Sequence, residues 1–151
     1  MKARELMTKD PKTCERDHDL GCTIRIMKEE DCGIVPVTEG NGEARVVGVV
    51  TDRDIALHLG ERDAKPSEVR AGQVMSIRLV SCSPDDDVKD VSRRMQESQV
   101  RRILIVEDGR LRGVVSTADL ARAAAGETRM EMEVARVIEE VSEESPERPR
   151  A

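Results

Sequence analysis

The feature that most constrains this chain is an internal repeat: one unit of roughly 60 residues is written twice. Leu6-Met7-Thr8 returns as Val74-Met75-Ser76, Thr13-Cys14 as Ser81-Cys82, and Met27 as Met95, each at an offset of 68 residues. Further on, Gly48-Val49-Val50-Thr51-Asp52-Arg53-Asp54-Ile55 returns as Gly113-Val114-Val115-Ser116-Thr117-Ala118-Asp119-Leu120 at an offset of 65. The first repeat therefore holds three extra residues, and they fall at the turn Glu39-Gly40-Asn41-Gly42. At 151 residues the chain suffices for one compact domain or for two small units sharing a core.

Both repeats carry the same order of elements. A short extended piece (Lys12–Cys14; Leu79–Cys82) leads to an acidic helix start at Asp17/Asp19 and at Asp85–Asp87, where carboxylates cap the first turn and suit the helix dipole. Leu20, Ile24 and Met27, and likewise Val88, Val91 and Met95, then form the apolar stripe of an amphipathic helix. Two apolar strands follow, Ile34–Thr38 with Arg45–Val50 and Arg102–Glu107 with Arg110–Val115. They are joined by the hairpin signals Gly40-Asn41-Gly42 and Asp108-Gly109. Helices from about Asp52 to Leu59 and from about Thr117 to Ala125 close the units. The fold class is α/β (α+β), β-α-β-β-α twice. The predicted division is repeat 1 at 1–62, repeat 2 at 63–125, a helix at 126–141 and a disordered tail at 142–151. The polar stretch Glu61–Val69 is the linker, and Met130, Val134, Val137, Ile138 and Val141 line one face of the C-terminal helix.

Composition excludes several classes. No Phe, Tyr or Trp is present, so the core is aliphatic and the aromatic platforms that stack single-stranded nucleic acid are missing. A net charge of −6 argues against nucleic-acid and anionic-membrane partners. The N-terminus is charged from Lys2 onward and no stretch approaches a membrane span, which predicts a soluble, cytoplasmic protein. In that compartment Cys14, Cys22, Cys32 and Cys82 are expected as free thiols.

The motif that carries chemistry is an apolar strand ending in Gly-Val-Val, then Thr or Ser, two residues, and Asp. Read alone, Ser/Thr-x-x-Asp before a helix is close to a capping box. The same helix start also offers N–H groups to a phosphate, and its Asp can accept hydrogen bonds from two ribose hydroxyls. Together with the Leu6-Met7 and Val74-Met75 openings, Ile34-Val35-Pro36-Val37 and Val100-Arg101-Arg102-Ile103, the doubled motif resembles tandem cystathionine-β-synthase (CBS) domains over roughly Ala3 to Ala124.

The resemblance implies two pseudo-symmetric units packed sheet to sheet, frequent dimerisation, and adenosine ligands in clefts between the units. It also implies roles for particular residues. Asp54 and Asp119 match ribose-binding aspartates, and Thr51 and Ser116 match the hydroxyls beside them. Ile34, Val35 and Pro36, with Ile103 and Leu104 in the other repeat, match segments that sandwich adenine. Arg101 and Arg102 match basic positions that face phosphates. The first repeat has Gly33-Ile34 at that place, where Arg53 is the compensating candidate, so the two sites are not equivalent.

Other constellations are weaker. Cys14, His18, Cys22 and Cys32 resemble a zinc-ligand set, with His18 and Cys22 on one helical face, yet the second repeat has no such partners. No catalytic triad, P-loop or Gly-rich dinucleotide turn occurs, and His58 has no counterpart in the second repeat. The expectation is a regulatory module and not an enzyme. It takes an adenine nucleotide, AMP or ATP foremost, as regulatory ligand, with no catalytic cofactor, and it acts as a homodimer on an unknown effector protein. The alternatives are a structural dimerisation module without ligand and a metal- or redox-responsive protein using the Cys14/His18/Cys22/Cys32 set.

Overall fold

Acidic and hydroxyl caps set where four of the helices begin in the computed structural model, which describes residues 1–40, 44–125 and 128–142. In chain order the elements are α1 (Ala3–Leu6), β1 (Thr8–Lys9), β2 (Cys14–Glu15), α2 (Leu20–Glu29), β3 (Ile34–Glu39), β4 (Arg45–Thr51) and α3 (Asp52–Arg62). A 3-10 turn (Pro66–Glu68) leads to α4 (Ala71–Val74), β5 (Ser81–Cys82), α5 (Val88–Ser98), β6 (Arg102–Glu107), β7 (Arg110–Ser116), α6 (Thr117–Ala124) and α7 (Thr128–Ser142). Asp19 caps α2 by accepting the Cys22 N–H, and Asp87 caps α5 by accepting the Lys89 N–H, both at 3.0 Å. The expected turn at Gly40-Asn41-Gly42 and the expected tail fall, beyond Gly40 and Ser142, outside the described residues. At the other hairpin Asp108 (φ 52°) and Gly109 (φ 76°) both take positive φ, the requirement of a tight two-residue turn.

The chain divides into two units. The first comprises Asp10–Leu79 with the hairpin tip Asp108–Leu111. Here β2 runs parallel to β3 (Cys14 beside Val37), and β3 pairs antiparallel with β4 from Ile34–Thr51 to Glu39–Arg45, with an irregularity between Val37 and Thr38. Its core is Cys14, Leu20, Val35, Val37, Val50, Ile55, Val69 and Ala71. The second unit comprises Met1–Lys9, Val80–Glu107 and the chain from Arg112 onward. There β5 runs parallel to β6 (Ser81 beside Leu104), and β1 pairs antiparallel with β7 (Thr8 beside Val114). Val91, Met95, Ile103, Ile105, Val115 and Leu120 form its centre, with Val134 and Val137 of α7 packed against them.

The units exchange their opening segments: α1 and β1 open the first repeat but pack in the second unit, while α4 lies at the start of the second repeat but packs in the first. The glycine of each Gly-Val-Val follows from this crossing. A Cβ on Gly113 would lie 2.6 Å from the Met7 sulfur and 2.7 Å from the Thr8 carbonyl oxygen. A Cβ on Gly48 would lie 2.6 Å from the Met75 sulfur and 3.0 Å from the Ser76 carbonyl oxygen. The repeated Met of each opening and the repeated Gly of each strand are thus two halves of one contact.

Two helix faces differ from the sequence expectation. On α2 the fully buried side chains are Leu20 and Thr23, while Ile24 is 37% exposed. The Thr23 hydroxyl donates to the Cys14 sulfur at 3.6 Å, which satisfies a polar group on the core side. On α7, Val134, Val137 and Val141 are buried and Ile138 is 43% exposed, so the apolar stripe is narrower than expected.

Candidate functional site

Each unit builds a corner from the end of one strand, a capping residue and the first turn of the closing helix. In the first unit β4 ends at Thr51, whose extended backbone (φ −103°, ψ 159°) presents its side chain to α3. The Asp54 N–H donates to Thr51 Oγ1 at 3.1 Å, and the Thr51 N–H donates to Asp54 Oδ2 at 3.1 Å. The second unit repeats the reciprocal pair: the Asp119 N–H donates to Ser116 Oγ at 3.2 Å and the Ser116 N–H to Asp119 Oδ2 at 2.7 Å. The corners are also closed the same way from the preceding strand, since Asp52 N–H donates to the Gly33 carbonyl and Thr117 N–H to the Arg101 carbonyl, both at 3.1 Å. The capping box and the doubled motif are therefore one object.

The remaining sequence candidates fall around these corners. In the first unit Ile34 is half-buried and pairs with Thr51, which places it beside the cap. Val35 is fully buried in the core and Pro36 is buried next to it, so Val35 offers a ligand only its main chain. Arg53 is exposed on the first turn of α3. In the second unit Arg101 is exposed and Arg102 half-buried, while Ile103 and Leu104 are buried in the strand.

The corners differ at one position that sequence reading passed over. Asp119, 8% exposed, also accepts the Ser116 hydroxyl at 2.6 Å through Oδ2, and its Oδ1 is held by the Arg122 guanidinium. At the matching place in α3 stands Leu57, and among the described residues no donor reaches Oδ1 of Asp54. The spacing of three along a helix was the available signal for the Arg122–Asp119 pair.

The cysteine–histidine set is partly assembled. His18 Nδ1 lies 3.8 Å from Cys22 Sγ. Cys14 is buried against Thr23, and the Cys32 thiol donates to the Ile34 carbonyl at 3.3 Å. Burial raises the Cys14 thiol above its ordinary pKa and pushes Cys82 up to about 11, with Arg94 opposing the shift at Cys82. His58 is half-buried on α3.

Two capped strand–helix corners of one construction, each in a small mixed α/β unit, define a tandem-repeat protein of α/β class. The chain belongs to the CBS domain family, whose model matches residues 3–61 and 71–126. It is similar to the CBS domain-containing protein YhcV of Bacillus subtilis (strain 168), with 32% identity over 118 residues, 78% of this chain and 81% of that protein. Among solved structures it is similar to Hypoxic Response Protein I with two coordinated zinc ions (29% identity, TM-score 0.71, 81% of this chain and 98% of that one). It also shares its fold with CBSX2 in complex with AMP (22% identity, TM-score 0.70, 82% and 96%). Among the described residues no helix is long and apolar enough to cross a membrane.

Proposed function

We propose that this chain is a regulatory module that binds an adenosine nucleotide, AMP or ATP foremost, at its strand–cap–helix corners. The observation that carries the reading is the Thr51–Asp54 corner. One carboxylate oxygen is spent on the cap, while among the described residues no donor reaches the other, and a ribose hydroxyl pair needs such an acceptor. The AMP in CBSX2 supports the nucleotide class. Asp54 and Asp119 take the ribose, and Thr51 and Ser116 complete the cap and face ribose or phosphate. Ile34, Val35 and Pro36, and Ile103 with Leu104, flank the adenine. Arg53, Arg101 and Arg102 meet the phosphates. Occupancy shifts the population between two packings of the module, and a second copy of the chain and an effector protein read that shift in the cytoplasm.

A dye-based thermal melt against AMP, ADP, ATP and S-adenosylmethionine tests this, since the chain has no Trp or Tyr to report on itself. A ligand at 100 times its Kd adds about 2.7 kcal/mol, which moves the transition by roughly 5–15 °C. The shift disappears in the Asp54→Ala, Asp119→Ala double variant. No shift with any of them at millimolar concentration turns the reading to a structural dimerisation module.

A further inference from the structure

We propose that the turn from Glu15 to His18, with Cys22 one helical turn beyond, is a binding site for a divalent cation of the zinc class. The inference is independent of the nucleotide reading and concerns other residues of the first unit.

The donor atoms are already close to ligand spacing. One ligand atom each from Glu15, Asp17 and His18 lie within 4.8 Å of one another, all exposed, while Cys22 stands outside that group and approaches it only at His18. His18 Nδ1 is 3.8 Å from Cys22 Sγ. With metal–nitrogen and metal–sulfur bonds of about 2.0 and 2.3 Å, two ligands of a tetrahedral ion stand about 3.6 Å apart. The pair needs only a small side-chain adjustment to meet on one ion. Imidazole, thiolate and carboxylate together suit zinc, and they do not suit magnesium or calcium, which take oxygen alone.

Folding does not call for this set. At the corresponding positions the second repeat has Ser83, Asp85, Asp86 and Asp90. There the Ser83 N–H donates to Asp86 Oδ2 at 2.9 Å, as the Glu15 N–H donates to His18 Nδ1 at 3.2 Å in the first. The turn requires an acceptor, and a carboxylate supplies one. An imidazole there, with a thiol four residues on, exceeds that requirement. An ion at Nδ1 displaces a hydrogen bond at the long end of the usual range.

The turn is also held in place before any ion arrives. The Arg16 carbonyl accepts the Gly72 N–H at 2.9 Å, the His18 carbonyl accepts the Ala71 N–H at 2.8 Å, and the Leu20 N–H donates to the Val69 carbonyl at 2.9 Å. The Arg16 guanidinium, which sits between the ligands in sequence, pairs with Glu39 at 3.5 Å. Closing on a cation therefore orders side chains and leaves the backbone as it is. Cys14, buried against Thr23, and Cys32, bonded to the Ile34 carbonyl, stay outside the site.

Cobalt(II) is the probe, because a chain without aromatic residues leaves the near-ultraviolet clear for thiolate-to-cobalt charge transfer. Titration of the tag-free, reduced protein should saturate at one cobalt per chain with such a band, and zinc should displace it. The band should vanish in Cys22→Ser and persist in Cys32→Ser. His18→Asn keeps an acceptor for the turn, so its metal-free melt should match the parent while its zinc affinity falls by at least about tenfold. A parent protein that gives no band overturns the proposal. So does a band that survives Cys22→Ser, or zinc affinity unchanged in His18→Asn.

Discussion

Arg122 and Asp119 form an ion pair within one turn of α6, whereas the position matching Arg122 in α3 is held by Leu57. The two corners share their caps but not their free acceptors: Oδ1 of Asp119 already has a cation, and among the described residues Oδ1 of Asp54 has no donor. The Arg122 side chain is 72% exposed, so solvent screens the pair and its strength is at most about 1 kcal/mol. It biases the second corner without sealing it.

Removing that bias should be measurable. Under the nucleotide reading, Arg122→Leu frees Asp119 Oδ1 and raises adenosine affinity at the second corner by no more than about fivefold. Isothermal titration calorimetry against the Asp54→Ala background isolates this corner. Unfolding free energy should stay within about 0.5–1 kcal/mol of the parent. An adenosine affinity that falls would mean that Arg122 contacts the ligand.

The caps should matter for stability whatever the ligand. Thr51→Ala and Ser116→Ala each remove the acceptor of a helix N–H and should cost about 1 kcal/mol, lowering Tm by roughly 2–6 °C. Ser116→Ala should be the worse of the two. The Ser116 hydroxyl also donates to Asp119 at 2.6 Å, and Asp119 is buried. Denaturant melts of the two variants check the order.

Gly113→Ala should destabilise by roughly 1–3 kcal/mol, because its Cβ would meet both the Met7 side chain and the Thr8 carbonyl oxygen. Adding Met7→Ala removes the sulfur but leaves the backbone oxygen 2.7 Å away, so rescue should be partial. In Gly48→Ala with Met75→Ala the remaining backbone contact is the Ser76 oxygen at 3.0 Å, and rescue should be more complete. Double-mutant cycles on both pairs measure the difference.

Cys82 gives a pH prediction. Burial is the main cause of its raised pKa, about 11 in the fold against 9.0 ordinarily, with Asp86 and Asp90 also raising it and Arg94 lowering it. A group raised in this direction stabilises the fold fully below pH 9 and loses that contribution as pH rises toward 11. Stability should therefore fall over that window by at most about 1.4 kcal/mol per pH unit, and Cys82→Ala should flatten the slope. At pH 8 iodoacetamide should label the half-buried Cys22 and Cys32 before the buried Cys14 and Cys82.

Much of this was legible in the order of residues because it is local. The Thr51/Asp54 and Ser116/Asp119 caps span three residues each, and the strands Ile34–Glu39 and Arg102–Glu107 carry continuous apolar runs. Periodicity placed Val88, Val91 and Met95 in the core, since an amphipathic helix has one way to bury its stripe. It missed Thr23, because a threonine reads as polar until a buried partner such as the Cys14 sulfur is known. Of the four-residue metal set, the sequence could show His18 and Cys22 at helical spacing but not that Cys14 and Cys32 have other partners.

By itself the sequence determined that one unit is built twice, where its helices start and which carboxylates sit at those starts. Only the tertiary structure decided that each opening segment packs in the unit of the other repeat, so that Met7 meets Gly113 and Met75 meets Gly48. Caps and stripes are fixed by neighbours within a turn or two of chain. The exchange is fixed by contacts between residues far apart in sequence, which no local pattern specifies.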